Sequence, residues 1–206
     1  FPLQGALGYD LAQHLFISPN NLVVEGTSDY VFLVTVSDFL KAQSGRVSLD
    51  ERWSVIPVGG ADMIPTFVAL LGQHLEITVV IDAQKAGHQR LSNLAAAGYL
   101  SEKRILTVGQ ALGRKLADIE DLFTEDDYLM LFNRAFGKKV KAGDLSGKEP
   151  IVTRIARDQG VDRFDHGRPA DVLLRNRDEL LPKLAVATIQ NFEKLFTLAN
   201  DTLGTK

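Results

Sequence analysis

An α/β fold with a parallel sheet, followed by a smaller helical part, is what the order of segments in this 206-residue chain predicts. Three observations point there. Four short apolar segments, Leu22 to Val24, Trp53 to Val58, Ile77 to Ile81 and Arg104 to Val108, read as strands. The first three are each followed by a helical pattern rather than a hairpin turn. The third is β-branched throughout and so reads as buried on both faces, as strands of parallel sheets are.

Taken in order, Leu7, Leu11 and Leu15 share one helical face and predict a lead-in helix ending near Pro19. The run Leu22-Val23-Val24 delivers Glu25, and Gly26 then breaks the chain. Thr27 and Ser28 are candidate N-caps for a helix over Tyr30 to Leu40, with Asp29 in its first turn. The second strand ends in Gly59-Gly60, a pair that lets amides approach a phosphate closely or serves only a sharp turn. A helix starting near Asp62 tolerates Pro65 in its first turn and runs to Gly72. The third strand ends at Asp82; Ala83 to Gly87 reads as a loop and His88 to Ala97 as a helix.

After Val108 the alternation stops. Leu116 to Phe123 carries Asp118, Glu120 and Asp121, Glu125 to Phe136 is helical in pattern, and Gly137 ends it. Lys138 to Pro150 reads as a connector; Ile151 to Asp158, Asp171 to Asn176 and Leu180 to Leu203 read as helices. The expected division is an α/β domain with its lead-in helix over 1–137 and a helical domain over 138–206.

Composition narrows the chemistry. The chain has no Cys, which removes disulfides, thiolate nucleophiles and zinc-thiolate sites. Its four His, at 14, 74, 88 and 166, are too scattered to predict a His-rich metal site. A metal here is expected to be held by oxygen, which favours Mg²⁺, Mn²⁺ or Ca²⁺. No apolar run approaches the roughly 18 residues of a membrane span, and no signal peptide is visible, so a cytoplasmic setting without membrane contact is expected. The chain begins at Phe1 rather than Met, which suggests a piece of something longer. Residues 1–137 hold 10 Lys/Arg against 16 Asp/Glu, whereas residues 138–206 hold 13 against 10. This suggests a cation-binding half beside an anion-contacting one, or ordinary surface drift.

In a parallel sheet the strand C-termini share one edge, so Glu25 and Asp82 are expected to face each other there, with Asp118, Glu120 and Asp121 following strand four. Converging carboxylates repel one another, and a divalent cation relieves that repulsion. Asp29 has an alternative role at the positive end of its helix, and Asp82 as a turn residue. Glu25 is harder to explain structurally, because Glu is a poor residue for a buried strand end.

The run Val-Val-Glu-Gly-Thr-Ser-Asp at 23–29, the Val-Ile-Asp at 80–82 and the alternating strands and helices resemble a Toprim domain. More narrowly, Val23 to Leu33, Val58-Gly59-Gly60-Ala61-Asp62, Asp118-Ile119-Glu120-Asp121-Leu122-Phe123 and Asn191 to Asn200 resemble the C-terminal nuclease region of the OLD (overcoming lysogenization defect) family. The resemblance implies a Toprim-like four-stranded parallel sheet flanked by helices. It also implies a metal-dependent DNA endonuclease using two Mg²⁺ or Mn²⁺ ions. Glu25 and Asp29 match the first-motif acids, Asp82 the first acid of an Asp-x-Asp pair, and Asp118 and Glu120 a further ligand-bearing segment. Glu25 and Lys148 would be catalytic, Lys148 by stabilising charge on the scissile phosphate; the alternative for Lys148 is a solvated loop lysine. Arg154, Arg157 and Arg168 are candidates for contacting DNA backbone phosphates with little base specificity.

The family places an ATPase domain before the Toprim part, which fits the start at Phe1 and leaves room for a homodimer built through the missing regions. One departure stands out: Gln84 replaces the second Asp of the pair. That substitution weighs against a topoisomerase or primase. It most favours the rival reading, a non-catalytic Toprim-like regulatory or docking module; a primase-type nucleotidyl transferase is the nearer alternative.

Overall fold

A computed structural model gives residues 19–82 and 85–204, with 85–88 described by backbone alone. The lead-in helix expected before Pro19, and Gln84, lie outside the described residues.

Strands β1 (Asn20–Val24), β2 (Trp53–Pro57), β3 (Glu76–Ile81) and β4 (Ile105–Thr107) form one parallel sheet in the order β2-β1-β3-β4. Leu22 pairs with Val55 on one side and Thr78 on the other, and Val79 pairs with Ile105. Pro57 sits on the edge strand β2, where an absent amide hydrogen can face away from the ladder. From β1 the chain goes outward to β2, and from β3 it goes outward to β4 on the opposite side. The strand order therefore reverses between β1 and β3. Open α/β sheets bind ligands in the crevice beyond the strand C-termini at such a reversal.

The two-residue period of the strands divides their side chains between two layers. Val23, Ile77, Val79, Ile81 and Ile105 pack with Ile64, Val68 and Leu71 of α2 (Met63–Leu71) and Leu91 of α3 (Lys85–Ala96). Leu22, Val24, Val80 and Leu106 belong to the other layer, with Phe32, Leu33, Val36 and Leu40 of α1 (Thr27–Lys41). That second cluster continues through α4 (Val108–Leu112), α5 (Glu125–Phe136), α6 (Ile151–Asp158), α7 (Gly167–Arg175), α8 (Arg177–Leu180) and α9 (Val186–Asp201). Residues on both sides of position 137 share it. Among the described residues no helix is long and apolar enough to cross a membrane.

Several boundaries differ from expectation for local reasons. Val108, expected to end β4, already belongs to α4, because Thr107 and Gln110 form a reciprocal cap: the Gln110 amide donates to Thr107 Oγ1 and the Thr107 amide to Gln110 Oε1. The helix after β3 begins at Lys85 rather than His88. The single C-terminal helix expected from Leu180 to Leu203 is instead α8, a 3-10 turn over Leu181–Lys183 and α9, as Pro182 cannot donate inside a helix.

The crossing from α1 to β2 is held from the far end of the chain. Asn200 on α9 accepts from the Asp50 amide at 3.0 Å and the Trp53 indole at 3.1 Å, and donates to the Ser48 carbonyl at 2.8 Å. Asn200→Ala is expected to lower unfolding stability by about 1–3 kcal/mol, since partners become unsatisfied together. Urea denaturation checks this, and an unchanged midpoint would contradict it.

Candidate functional site

The C-terminal edge of the sheet opens into a cleft of about 1040 Å³. Glu25, Asp29, Asp82, Asp118 and Glu120 all line it. Acids from three separate parts of the sequence thus meet at the β1–β3 reversal.

Main-chain amides hold three of them. The Asp82 amide, just past β3, donates to Glu25 Oε1 at 3.0 Å, and the Ile119 amide donates to Asp82 Oδ1 at 3.1 Å. These two bonds stitch β1 to β3 and β3 to the 3-10 turn Ile119–Leu122. Asp29 accepts from the Gly26 amide at 3.0 Å and the Ser28 hydroxyl at 3.3 Å. Gly26 is the N-cap of α1, so the capping expected of Thr27 or Ser28 comes one residue earlier, with Asp29 reaching back from the third helical position. Gly26 itself is extended, and only Ser28 Oγ lies within 4 Å of where a Cβ would stand, at 3.8 Å. A glycine there leaves the floor between Glu25 and Asp29 uncovered.

The acidic turn is fastened from behind. Asp121 accepts from the Asp118 amide at 2.9 Å and the Ile151 amide at 3.0 Å, tying the turn to the start of α6. Phe123 meets Phe32 and Phe192 edge-on, both with ring centroids 5.0 Å apart, and Asn191 donates to the Leu122 carbonyl at 3.1 Å. The fully buried Tyr128, next to it, keeps a hydroxyl that has no hydrogen-bond partner among the described residues.

Confinement shifts the proton equilibria of the cluster. Burial, reinforced by Glu120, pushes Asp29 up to about 7. Burial, with Glu120 and Asp121 beside it, also pushes Asp118 up to about 7. Asp82 lies well above the ordinary carboxylate range, through burial and then the charges of Glu25, Asp118, Glu120 and Asp29. Glu25 is raised by burial despite the amide it accepts.

The cleft is also lined by α6 and the 161–166 loop, among them Arg157, Arg163 and His166. Sequence reasoning missed Arg163 and His166. Their only signal was the charged run Asp162-Arg163-Phe164-Asp165-His166, distant in sequence from Glu25, Asp29, Asp82, Asp118 and Glu120; Asp162 and Asp165 of that run line the cleft as well. His166 Nδ1 stands 3.3 Å from Glu120 Oε1, and the hydrogen bond to that carboxylate raises the imidazole's pKa against the effect of burial. Gly59 and Gly60 line the cleft with φ of 86° and 135°, values that favour glycine, and the Gly60 amide is already donated to the Glu25 carbonyl.

The other sequence candidates sit elsewhere. Lys148 is exposed and does not line the cleft. Arg154 is buried and pairs with Glu125, and Arg168 lies over Phe136 and donates to the Ala135 carbonyl. Arg157 lines the cleft but holds Glu149 with two nitrogens and the Ser146 carbonyl as well.

Glu25, Asp29, Asp82, Asp118 and Glu120 offer oxygen donors suited to a hard divalent cation, and Asp162 and Asp165 line the same cleft. Among the described residues, however, no group of three or more His, Asp or Glu side chains is already arranged to hold one. Side-chain rotation within the cleft would have to complete a coordination shell. Comparison of the chain with family models, curated proteins and solved structures gives no match.

The raised pKa values give a signed pH dependence. A carboxyl that is harder to ionise when folded binds more protons in the native than in the unfolded state, so its contribution falls as pH rises from the ordinary carboxylate range through its folded value. The cation-free protein is therefore expected to melt higher near about pH 6 than near about pH 8. Added Mn²⁺ should raise the melting temperature more at the higher pH. A scanning-calorimetry series tests both; a melting temperature that rises from pH 6 to pH 8 would contradict the repulsion.

Proposed function

We propose that this chain is the nuclease part of a longer OLD-type protein, a Toprim-like domain that hydrolyses DNA phosphodiester bonds with two Mg²⁺ or Mn²⁺ ions. The observation that carries the reading is the convergence of Glu25, Asp29, Asp82, Asp118 and Glu120 in one cleft at the strand-order reversal. The resemblance in residues 23–33, 58–62 and 118–123 supplies the reaction class.

These five carboxylates would hold the cations. A divalent cation bound there supplies positive charge to phosphate oxygens and lowers the pKa of a water molecule. The chain's own residues do the rest. Glu25 and Asp82 each accept a main-chain amide hydrogen bond at one oxygen, which tethers the carboxylate and leaves its other oxygen to turn toward a cation. Arg163 at the cleft offers positive charge to a backbone phosphate, while Arg157 is already paired with Glu149. Gly26, Gly59 and Gly60 leave the floor and rim free of side chains, so a sugar-phosphate strand can approach the main chain. Contacts of this kind read the backbone rather than the bases, and binding should weaken with salt.

One observation favours a second reading. No ready-made coordinating triad stands among the described residues, as a relic site in a docking module would also lack. Titration calorimetry with Mn²⁺ separates the two: heat of binding at micromolar to millimolar concentrations supports the nuclease, and its absence supports the docking module.

Glu25→Ala should abolish Mg²⁺- or Mn²⁺-dependent nicking of plasmid DNA while circular dichroism stays unchanged. Retained cleavage by the pure variant would sink the assignment. Lys148 is exposed and outside the cleft, so Lys148→Ala is expected to leave turnover and Mn²⁺ affinity unaltered, as for a solvated loop residue. A loss of turnover of roughly 10²-fold with Mn²⁺ affinity preserved would restore the catalytic role that the resemblance implies.

A further inference from the structure

We propose that His166 is a positioning residue for Glu120: its imidazole, 3.3 Å from Glu120 Oε1, fixes that carboxylate's orientation in the cleft and thereby sets the site's affinity for a divalent cation. This rests on the reading that the cleft acids hold such a cation.

Glu120 differs from its neighbours in how it is held. Glu25, Asp29 and Asp82 each accept a hydrogen bond from a main-chain amide. The partner of Glu120 is a side chain, brought to it by the 161–166 loop. The Glu120 side chain is only 3% exposed, so it has little access to water as a substitute. Its orientation therefore depends on how firmly the imidazole is placed.

The imidazole is placed firmly. Phe164 packs edge-on against Phe132 at 5.1 Å and Phe136 at 5.8 Å, which pins the loop to α5. The His166 ring lies against Phe164 at 4.7 Å. On the other side Asp165 accepts from the Gly167 amide at 2.9 Å as α7 begins, and α7 is anchored in the core through Ala170 and Leu173. Charged groups acting on the imidazole are Glu120 and Asp118 from the acidic turn and Arg163 from its own loop. A ring held by an aromatic contact and aimed at a buried carboxylate is the arrangement by which an outer residue orients a metal ligand.

The test is the Mn²⁺ isotherm of the whole chain, at one fixed pH, for the parent, H166A, H166N, E120Q and the double variant H166A/E120Q, each checked for folding by circular dichroism. H166A is expected to weaken affinity by about 10- to 100-fold. H166N, whose side-chain amide N–H can occupy the position of Nδ1, should recover most of the loss. The double variant should bind no more weakly than E120Q, because His166 acts through Glu120. Unchanged affinity in H166A overturns the proposal and leaves the cation site standing, whereas a parent protein that binds no Mn²⁺ overturns both. An H166N as weak as H166A overturns it too, since the ring would then act otherwise than through a hydrogen bond to Glu120. If H166A does not fold, H166N decides: affinity near the parent's supports the proposal and a loss overturns it.

Discussion

Mutual repulsion among carboxylates confined at the end of the sheet is the constraint on which the rest of this structure depends. Burial first, and then like charges that interact several-fold more strongly in a partly dry cleft than in water, make Asp29, Asp82 and Asp118 hold their protons well past the ordinary range. Left to themselves such groups would turn outward. Here Glu25, Asp29 and Asp82 are fixed by amides, and a backbone amide can move only if its whole segment moves. The electrostatic strain is therefore borne by the strands and turn that carry those amides.

Those segments resist because the core on the second face of the sheet is extensive. Phe123, immediately after the acidic turn, lies among Phe32 of α1, Tyr128 of α5 and Phe192 of α9. The C-terminal helices thus do more than append to the α/β part. They supply the packing behind the turn, the Ile151 amide that Asp121 accepts, and the 161–166 loop that lines the cleft. A cleft assembled in this way draws on residues from Glu25 to His166.

This explains which features could be read from the sequence. The strands were legible because burial on both faces leaves an apolar run that tolerates little else, and Glu25 and Asp82 stood out as acids where such runs stop. The acidic turn was visible as a cluster. Fine boundaries were less so: Gly26 caps α1 in place of Thr27 or Ser28 because Asp29 reaches back to its amide, a contest between neighbouring caps worth at most about 1 kcal/mol. The fate of the arginines was not legible at all. Arg154, Arg157 and Arg168 looked alike in sequence, yet one is spent on Glu125, one holds Glu149 at the cleft wall and one lies over Phe136. Such partners are chosen by tertiary distance, and for the same reason His166 gave no hint of its place beside Glu120.

The charge asymmetry of the chain takes on a specific meaning at this cleft. The acidic half supplies Glu25, Asp29, Asp82, Asp118 and Glu120, and the basic half supplies a wall with Arg157, Arg163 and His166 but also Asp162 and Asp165. That wall is not an adequate counterweight. Arg157 is already shared with Glu149 and His166 with Glu120, which leaves Arg163 as the cleft arginine for which no ion pair stands among the described residues. If a phosphodiester is the substrate, it brings a further negative charge toward acids that already repel one another. Protonating the acids would relieve the repulsion but would also remove the ligands. A divalent cation removes the repulsion and keeps the carboxylates ionised, so in a nuclease reading of this cleft the cation is required for the substrate to enter as well as for the chemistry that follows.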